Sequence, residues 1–307
     1  MSKAISVALV GADTPAAQTV LDVLVEMPIQ LGALYPLADD EEAGTLELNQ
    51  QVLPILDLET FDFAHVDAAL FVGEPALATR YAAQAASAGV AVIDLTGGAN
   101  APVGAAKRGQ VVSLPQVVTS MITAALDALK TAAAPEFVAA SALLSASGEG
   151  KNAIETLSMQ TRQLFAQQEV ELGGYPKRLA FNLLPVTDAE AINRVQQEVA
   201  AAGLPLHSLT LTHAPVFFGH AVSLSVRLAQ PQTRAQIEAA LQASPALFFL
   251  QVDGAAGIAT PQDAIGADKI WANQLQVSND GLTVTLWLVA DNARLPARAA
   301  ALLLALL

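Results

Sequence analysis

No cysteine occurs anywhere in the 307 residues. Disulfides, thiolate metal sites and catalysis by a thiol are therefore excluded whatever the fold. Charge is scarce as well. Charged residues make up 14% of the chain, against roughly 25% in ordinary soluble domains. Alanine-rich helices account for part of that shortfall, and a large buried subunit interface would account for more. Basic residues are the rarer sign, 15 against 29 acidic, which leaves a net charge of −14. Such a field repels nucleic acid and anionic lipid, so neither is an expected partner. It also opposes a doubly anionic substrate unless basic groups are placed locally. Long apolar runs are missing too. The apolar start, Ala4 to Val10, runs into Asp13 and Pro15 without a cleavage pattern, so it does not read as a targeting segment. The run Ala299 to Leu307 is too short to span a bilayer and reads as a helix packed on the body of the protein. A soluble protein of the cytoplasm is the expectation.

What is present is a long alternation of strands and helices. Ile5 to Val10 has the length of a buried strand, and Thr14-Pro15 gives an N-cap with proline at the first helical position. Further strands are read at 29–35, 68–72, 90–93 and 111–114, with helices opening at Pro75 and near Val118. Apolar strands separated by single helices indicate a parallel sheet covered on both faces. From Phe137 the pattern changes. A long helix over 152–168, a Gly-Gly-Tyr-Pro loop at 173–176, a helix over 188–201 and strands at 209–212, 221–228 and 283–289 are expected, with a helix over 231–243. The spacing places a first domain at 1–132, completed by a C-terminal helix over 293–307, and a second at 133–292.

Four segments carry a family resemblance. Pro215-Val-Phe-Phe-Gly-His220 follows a strand. Ala180-Phe-Asn-Leu-Leu-Pro185, Leu288-Val-Ala-Asp-Asn292, and Val66 to Phe71 with Ala88 to Asp94 occur around it. Their order along nearly the whole chain resembles that of the aspartate-semialdehyde dehydrogenase family. The resemblance implies an α/β fold: a Rossmann-like, dinucleotide-binding-type parallel-sheet domain, plus an α+β dimerisation and substrate-type domain. It also implies a homodimer.

The family's chemistry is mostly missing from this chain. Its nucleophile is a cysteine in a turn at a helix N-terminus, where the helix dipole favours a thiolate. Here that turn reads Ser113-Leu-Pro-Gln-Val117, with Val117 at the nucleophile position. The substrate-orienting glutamine becomes Met121, the carboxylate-binding arginine His213, and the phosphate-binding arginine Asn100. The Glu-x-x-Lys pair appears as Arg194-Val-Gln-Gln197. Only His220, the general base of the family, persists. Gly11-Ala-Asp-Thr-Pro-Ala-Ala17 keeps the first glycine of the phosphate-binding turn, while Thr14 and Ala17 replace the others. Gly11 and Thr14 are thus candidate cofactor-binding residues of a degenerate site. Asp39-Asp-Glu-Glu42 would oppose the 2′-phosphate of NADP, although an acid there could accept a ribose hydroxyl of NAD.

Other readings of the same residues stand beside these. His220 could satisfy a backbone group in a turn that the fold still needs. His207, His213 and His220 follow no metal-ligand spacing, and no metal is expected. Ser145 to Asn152 resembles a phosphate loop but lacks its first glycine and its magnesium-holding hydroxyl. Thr119 or Ser120 could replace the thiol only with a base in reach. The sequence therefore points to a catalytically degenerate relative of an amino-acid biosynthetic enzyme, similar to the Usg group of bacterial homologues. It would act by binding a small molecule or a protein. An NAD(P)-dependent oxidoreductase acting on an aldehyde or oxo group without a cysteine nucleophile is the alternative. NAD or NADP would bind weakly.

Overall fold

The computed structural model describes residues 4–39, 44–48, 51–251 and 257–307. The chain divides into two compact units, one of residues 1–115 with 296–307 and one of residues 116–295.

The first unit alternates strands and helices: β1 (Ile5–Val10), α1 (Pro15–Glu26), β2 (Leu31–Ala38), β3 (Thr45–Leu48), β4 (Gln51–Pro54), β5 (Leu56–Asp57), β6 (Ala68–Phe71), α2 (Pro75–Ser87), β7 (Ala91–Asp94) and β8 (Val111–Ser113). Six strands form one parallel sheet in the order β5-β2-β1-β6-β7-β8, and β3 pairs with β4 in a separate hairpin. The central strands β1, β6 and β7 are buried on both faces, which is why they read as continuous apolar runs. Within β1 the faces alternate. Val7 and Leu9 pack with α1 and the C-terminal helix, while Ala8 and Val10 pack with α2 and the segment around Phe63. Both α1 and α2 open on a proline, which has no amide hydrogen to lose there.

The second unit holds α3 (Val117–Lys130), β9 (Pro135–Leu144), α4 (Lys151–Phe165), β10 (Leu184–Pro185), α5 (Ala189–Ala201), β11 (Ser208–His213), β12 (His220–Leu228), α6 (Arg234–Ala243), β13 (Leu247–Phe249), β14 (Ile270–Val277) and β15 (Thr283–Ala290). The last helix, α7 (Arg294–Leu304), starts at its end. Seven strands make a mixed sheet in the order β10-β11-β9-β12-β15-β14-β13. Helices α3, α5 and α6 bury their apolar stripes against one face of this sheet. On the other face the register lines up Thr210, Ser141, Ser223 and Trp287. The first three of these are exposed.

Two expectations change. Helix α3 groups with the second unit, so the division falls at Pro115–Gln116 rather than after 132. The reason is packing: Met121, Ile122, Leu126 and Leu129 of α3 join the core under the mixed sheet. The segment 180–185, a strand in the family that the chain resembles, is a turn with only Leu184–Pro185 paired to β11. Phe181 in that turn has φ = 55°, the left-handed region where a bulky residue is unusual.

Candidate functional site

His220 opens β12 directly after Gly219, whose φ of 82° suits glycine. A Cβ at Gly219 would lie 2.8 Å from the carbonyl oxygen of Pro261. The imidazole is buried, at 6% exposure. The backbone amide of Ser145, just after β9, donates to His220 Nδ1 at 3.1 Å. An amide can only donate, so in the neutral ring the proton sits on Nε2. That edge of the ring faces Gly148, where a Cβ would stand 2.7 Å from Cε1 and 2.9 Å from Nε2. Burial pushes the pKa of His220 down to about 4. His213 adds to this, and Asp291 and Glu149 work the other way. The ring is neutral at physiological pH.

Asn292 ties this corner together. Its side-chain oxygen accepts from the Gly219 amide at 2.8 Å, the Ser147 hydroxyl at 3.0 Å and the Ser145 hydroxyl at 3.2 Å. The strand end at 290, the turn before His220 and the 3-10 turn Ala146–Glu149 are thereby held by one amide group.

Beside it lies a second cluster. His213, the last residue of β11, brings its Nδ1 into contact with Oε1 of Glu149. The Tyr175 hydroxyl donates to Oε2 of Glu149 at 2.8 Å. The His213 ring meets the Tyr175 ring edge-on, with centroids 5.9 Å apart. Burial alone would raise the pKa of Glu149. The contacts with His213 and Tyr175 outweigh it and hold the carboxyl below its usual range. Burial, and then the bond to Glu149, raise that of Tyr175. At neutral pH the trio is an ionised carboxylate beside a protonated phenol and an imidazole.

The start of α3 is filled from within the unit. Val117, expected from the resemblance at the nucleophile position, is a first-turn residue packed against the core under the sheet. Glu198 of α5 accepts from the Gln116 backbone amide at 2.9 Å and from the Thr119 hydroxyl at 2.6 Å. A helix N-terminus attracts an anion, and here the chain supplies its own carboxylate. Arg194, one turn back on α5, pairs with the other oxygen of Glu198 at 3.1 Å. Thr119 thus has a base in reach, yet it is 2% exposed and its hydroxyl is spent on Glu198. Met121 is fully buried in the core. The structure therefore does not bring Val117, Met121 and Arg194 together as ligand contacts; it uses them for packing and helix capping.

In the first unit, Gly11 (φ = 88°) lies so close to Val72 that a Cβ would stand 2.2 Å from that carbonyl oxygen. Its missing side chain thus serves chain packing. The Thr14 hydroxyl donates to the Gly11 carbonyl at 2.7 Å. Thr14 also packs on Gly73, where a Cβ would meet its Cγ2 at 2.5 Å. Thr14 thus packs within the β1–α1 turn, and Pro15 removes the first amide donor of α1. The turn therefore presents fewer bare backbone amides than a glycine-rich dinucleotide-binding turn does. Asp40, Glu41 and Glu42 of the acidic run lie outside the described residues. Asn100 sits in a turn with φ = 49°.

The three histidines near the site separate. His207 stacks on Phe137 at 4.7 Å, and its Nδ1 accepts from the Val138 amide, away from the Glu149 and Asn292 clusters of the other two. Among the described residues no group of three or more histidine or acidic side chains is arranged to hold a metal ion. No helix among them is long and apolar enough to cross a membrane. Glu149, Tyr175 and Glu198 escaped the sequence reading. Glu149 had a signal, as the one charged residue within Ser147-Gly-Glu-Gly150. Tyr175 had none, and for Glu198 the neighbouring Arg194 gave no hint of Gln116 and Thr119, which are far away in sequence.

Comparison with known proteins agrees with this layout. Residues 126–295 match the family model described as "Semialdehyde dehydrogenase, dimerisation domain". An aspartate-semialdehyde dehydrogenase from Legionella pneumophila is 29% identical over 96% of this chain and 92% of its own length. A USG-1 protein homolog from Azotobacter vinelandii is 29% identical over 96% of this chain and 94% of its own. The crystal structure of aspartate semialdehyde dehydrogenase II from Vibrio cholerae superimposes with a TM-score of 0.87 at 26% identity, covering 99% of this chain and 98% of that one. The family match alone spans more than half of the sequence, and the fold follows solved structures end to end: this chain belongs to the semialdehyde dehydrogenase family.

Proposed function

We propose that this chain is a catalytically silent member of its family, which binds a small molecule or a protein partner and does not oxidise or reduce an aldehyde. The observation that carries the reading is the start of α3. A family that attacks its substrate with a thiolate would need a nucleophile there. This chain has Val117, no cysteine elsewhere, and the carboxylate of Glu198 on the helix end. His220 supports the same reading. With Nδ1 accepting from Ser145, its Nε2 holds a proton and cannot receive one. A ring so placed frames the turn between β9 and β12.

The reading is tested by steady-state assay of aspartate-semialdehyde dehydrogenation in both directions, with NAD and with NADP. We expect no turnover. Turnover that follows the protein through purification overturns the reading in favour of an NAD(P)-dependent oxidoreductase working without a cysteine. That second reading requires nucleotide binding, whereas the first does not. Assembly as a homodimer through the second unit belongs to the same proposal. It is supported by the matched dimerisation domain and by the small, exposed side chains on the open sheet face.

A further inference from the structure

We propose that Glu149, flanked by Tyr175 and His213, is the recognition point for an organic cation, a primary ammonium group on a small molecule, held beside His220. The inference rests on the reading of this chain as a ligand-binding relative and names the chemical class of its ligand.

Glu149 has the properties of a fixed anionic contact. One oxygen, Oε2, is oriented by the Tyr175 hydroxyl, and the other, Oε1, lies in contact with the His213 ring. Its side chain is still 35% exposed. A carboxylate has about four lone-pair sites, so acceptor capacity is left on the open side. An ammonium group offers three donors and fits that need. The carboxyl is held ionised and the phenol protonated, so neither changes character near neutral pH.

The surroundings favour the same sign of charge. The Tyr175 ring lies against this cluster. The loop carrying Phe217 and Phe218, both exposed, borders it as well, because the Ser147 amide donates to the Phe217 carbonyl. Aromatic faces attract cations. The net charge of −14 concentrates cations and repels anions over the whole surface. A ligand carboxylate placed here would meet Glu149 as a like charge. Glycine at 148 matters too, because any side chain there would collide with the His220 ring and would shift the turn that presents Glu149.

The test uses n-butylammonium and butyrate, two probes of equal chain length and opposite charge, at matched ionic strength with EDTA present. Binding is followed by the ring NMR signals of His213 and Tyr175. We expect saturable shifts with butylammonium, at least about tenfold tighter than with butyrate, and a loss of about tenfold or more in Glu149→Gln. Butyrate binding as tightly as butylammonium, saturation by neither, or an unimpaired Glu149→Gln variant would overturn the proposal. The wild-type contrast between the probes decides alone if that variant does not fold. Absence of butylammonium binding without dehydrogenase turnover sinks this inference only; turnover in the dehydrogenase assay sinks the reading beneath it.

Discussion

Asn292 accepts the backbone amide of Gly219 at 2.8 Å, and that single bond sets the direction in which the chain enters β12 and delivers His220. The same oxygen takes the hydroxyls of Ser145 and Ser147. Three donors converge on one buried acceptor. Leucine at 292 keeps the volume and leaves the Gly219 amide without a partner, since a backbone donor cannot turn elsewhere. We expect Asn292→Leu to destabilise by on the order of 3 kcal/mol, read as a lower denaturant midpoint with an unchanged m-value.

His220 should make the protein acid-sensitive. Its pKa falls from an ordinary value near 6.5 to about 4 on folding. The unfolded chain therefore binds a proton between those values and the native state does not. The stability from a neutral His220 is complete above pH 6.5 and is lost as pH falls towards 4, by at most about 3 kcal/mol. Denaturation curves at pH 7 and pH 4.5, for the wild type and His220→Gln, check this. The variant should lose less stability between the two pH values. Glu149 adds a separate loss at lower pH, as its carboxyl protonates.

Restoring the thiol should not restore an enzyme. In Val117→Cys the sulfur enters a first turn whose anion-attracting end already holds Glu198, and the carboxylate opposes ionisation of the thiol. Met121 stays in the core, and no arginine is regained at His213. We expect turnover indistinguishable from the parent. Appreciable rescue in the semialdehyde assay would show that the substrate contacts survive in a form not recognised above.

Nucleotides should bind poorly. Thr14 carries a side chain where the phosphate-binding turn needs glycine, and Pro15 withholds an amide. We expect dissociation constants for NADP of about a millimolar or weaker, and no better than weak binding of NAD. Calorimetric titration gives both. A low-micromolar constant for either cofactor would mean that Thr14 moves aside, and would favour the oxidoreductase reading.

Sedimentation at micromolar concentration should find a dimer. Placing lysine at Ser223, in the middle of the open sheet face, should shift it to monomer, because a buried unpaired charge is costly. A wild-type monomer, or a Ser223→Lys dimer of undiminished affinity, would place any interface elsewhere.

Much of the fold was legible because its cues are local. Pro15 and Pro75 mark the starts of α1 and α2, and the apolar runs of β1, β6 and β7 are buried on both faces. Strands β13 and β14 and the hairpin of β3 with β4 escaped. Gln274 and Gln276 interrupt the apolar pattern of β14, where the register shifts beside β15. The candidate site was legible in one direction only. The sequence alone set out the expected departures from the family pattern, at Val117, His213 and Asn100.

By itself, then, the sequence determined the absence of a thiol and the two-part α/β plan, because composition and short-range periodicity suffice for these. The tertiary structure decided which distant side chains meet. Glu198 reaches the start of α3 from 82 residues away, and His220 meets Ser145 across 75. Glu149 finds Tyr175 and His213 only once β9, β11 and the loop at 175 have come together. A carboxylate is a surface charge, a helix cap or a ligand contact according to the donors placed around it. Those donors come from distant segments, so only folding assigns its role.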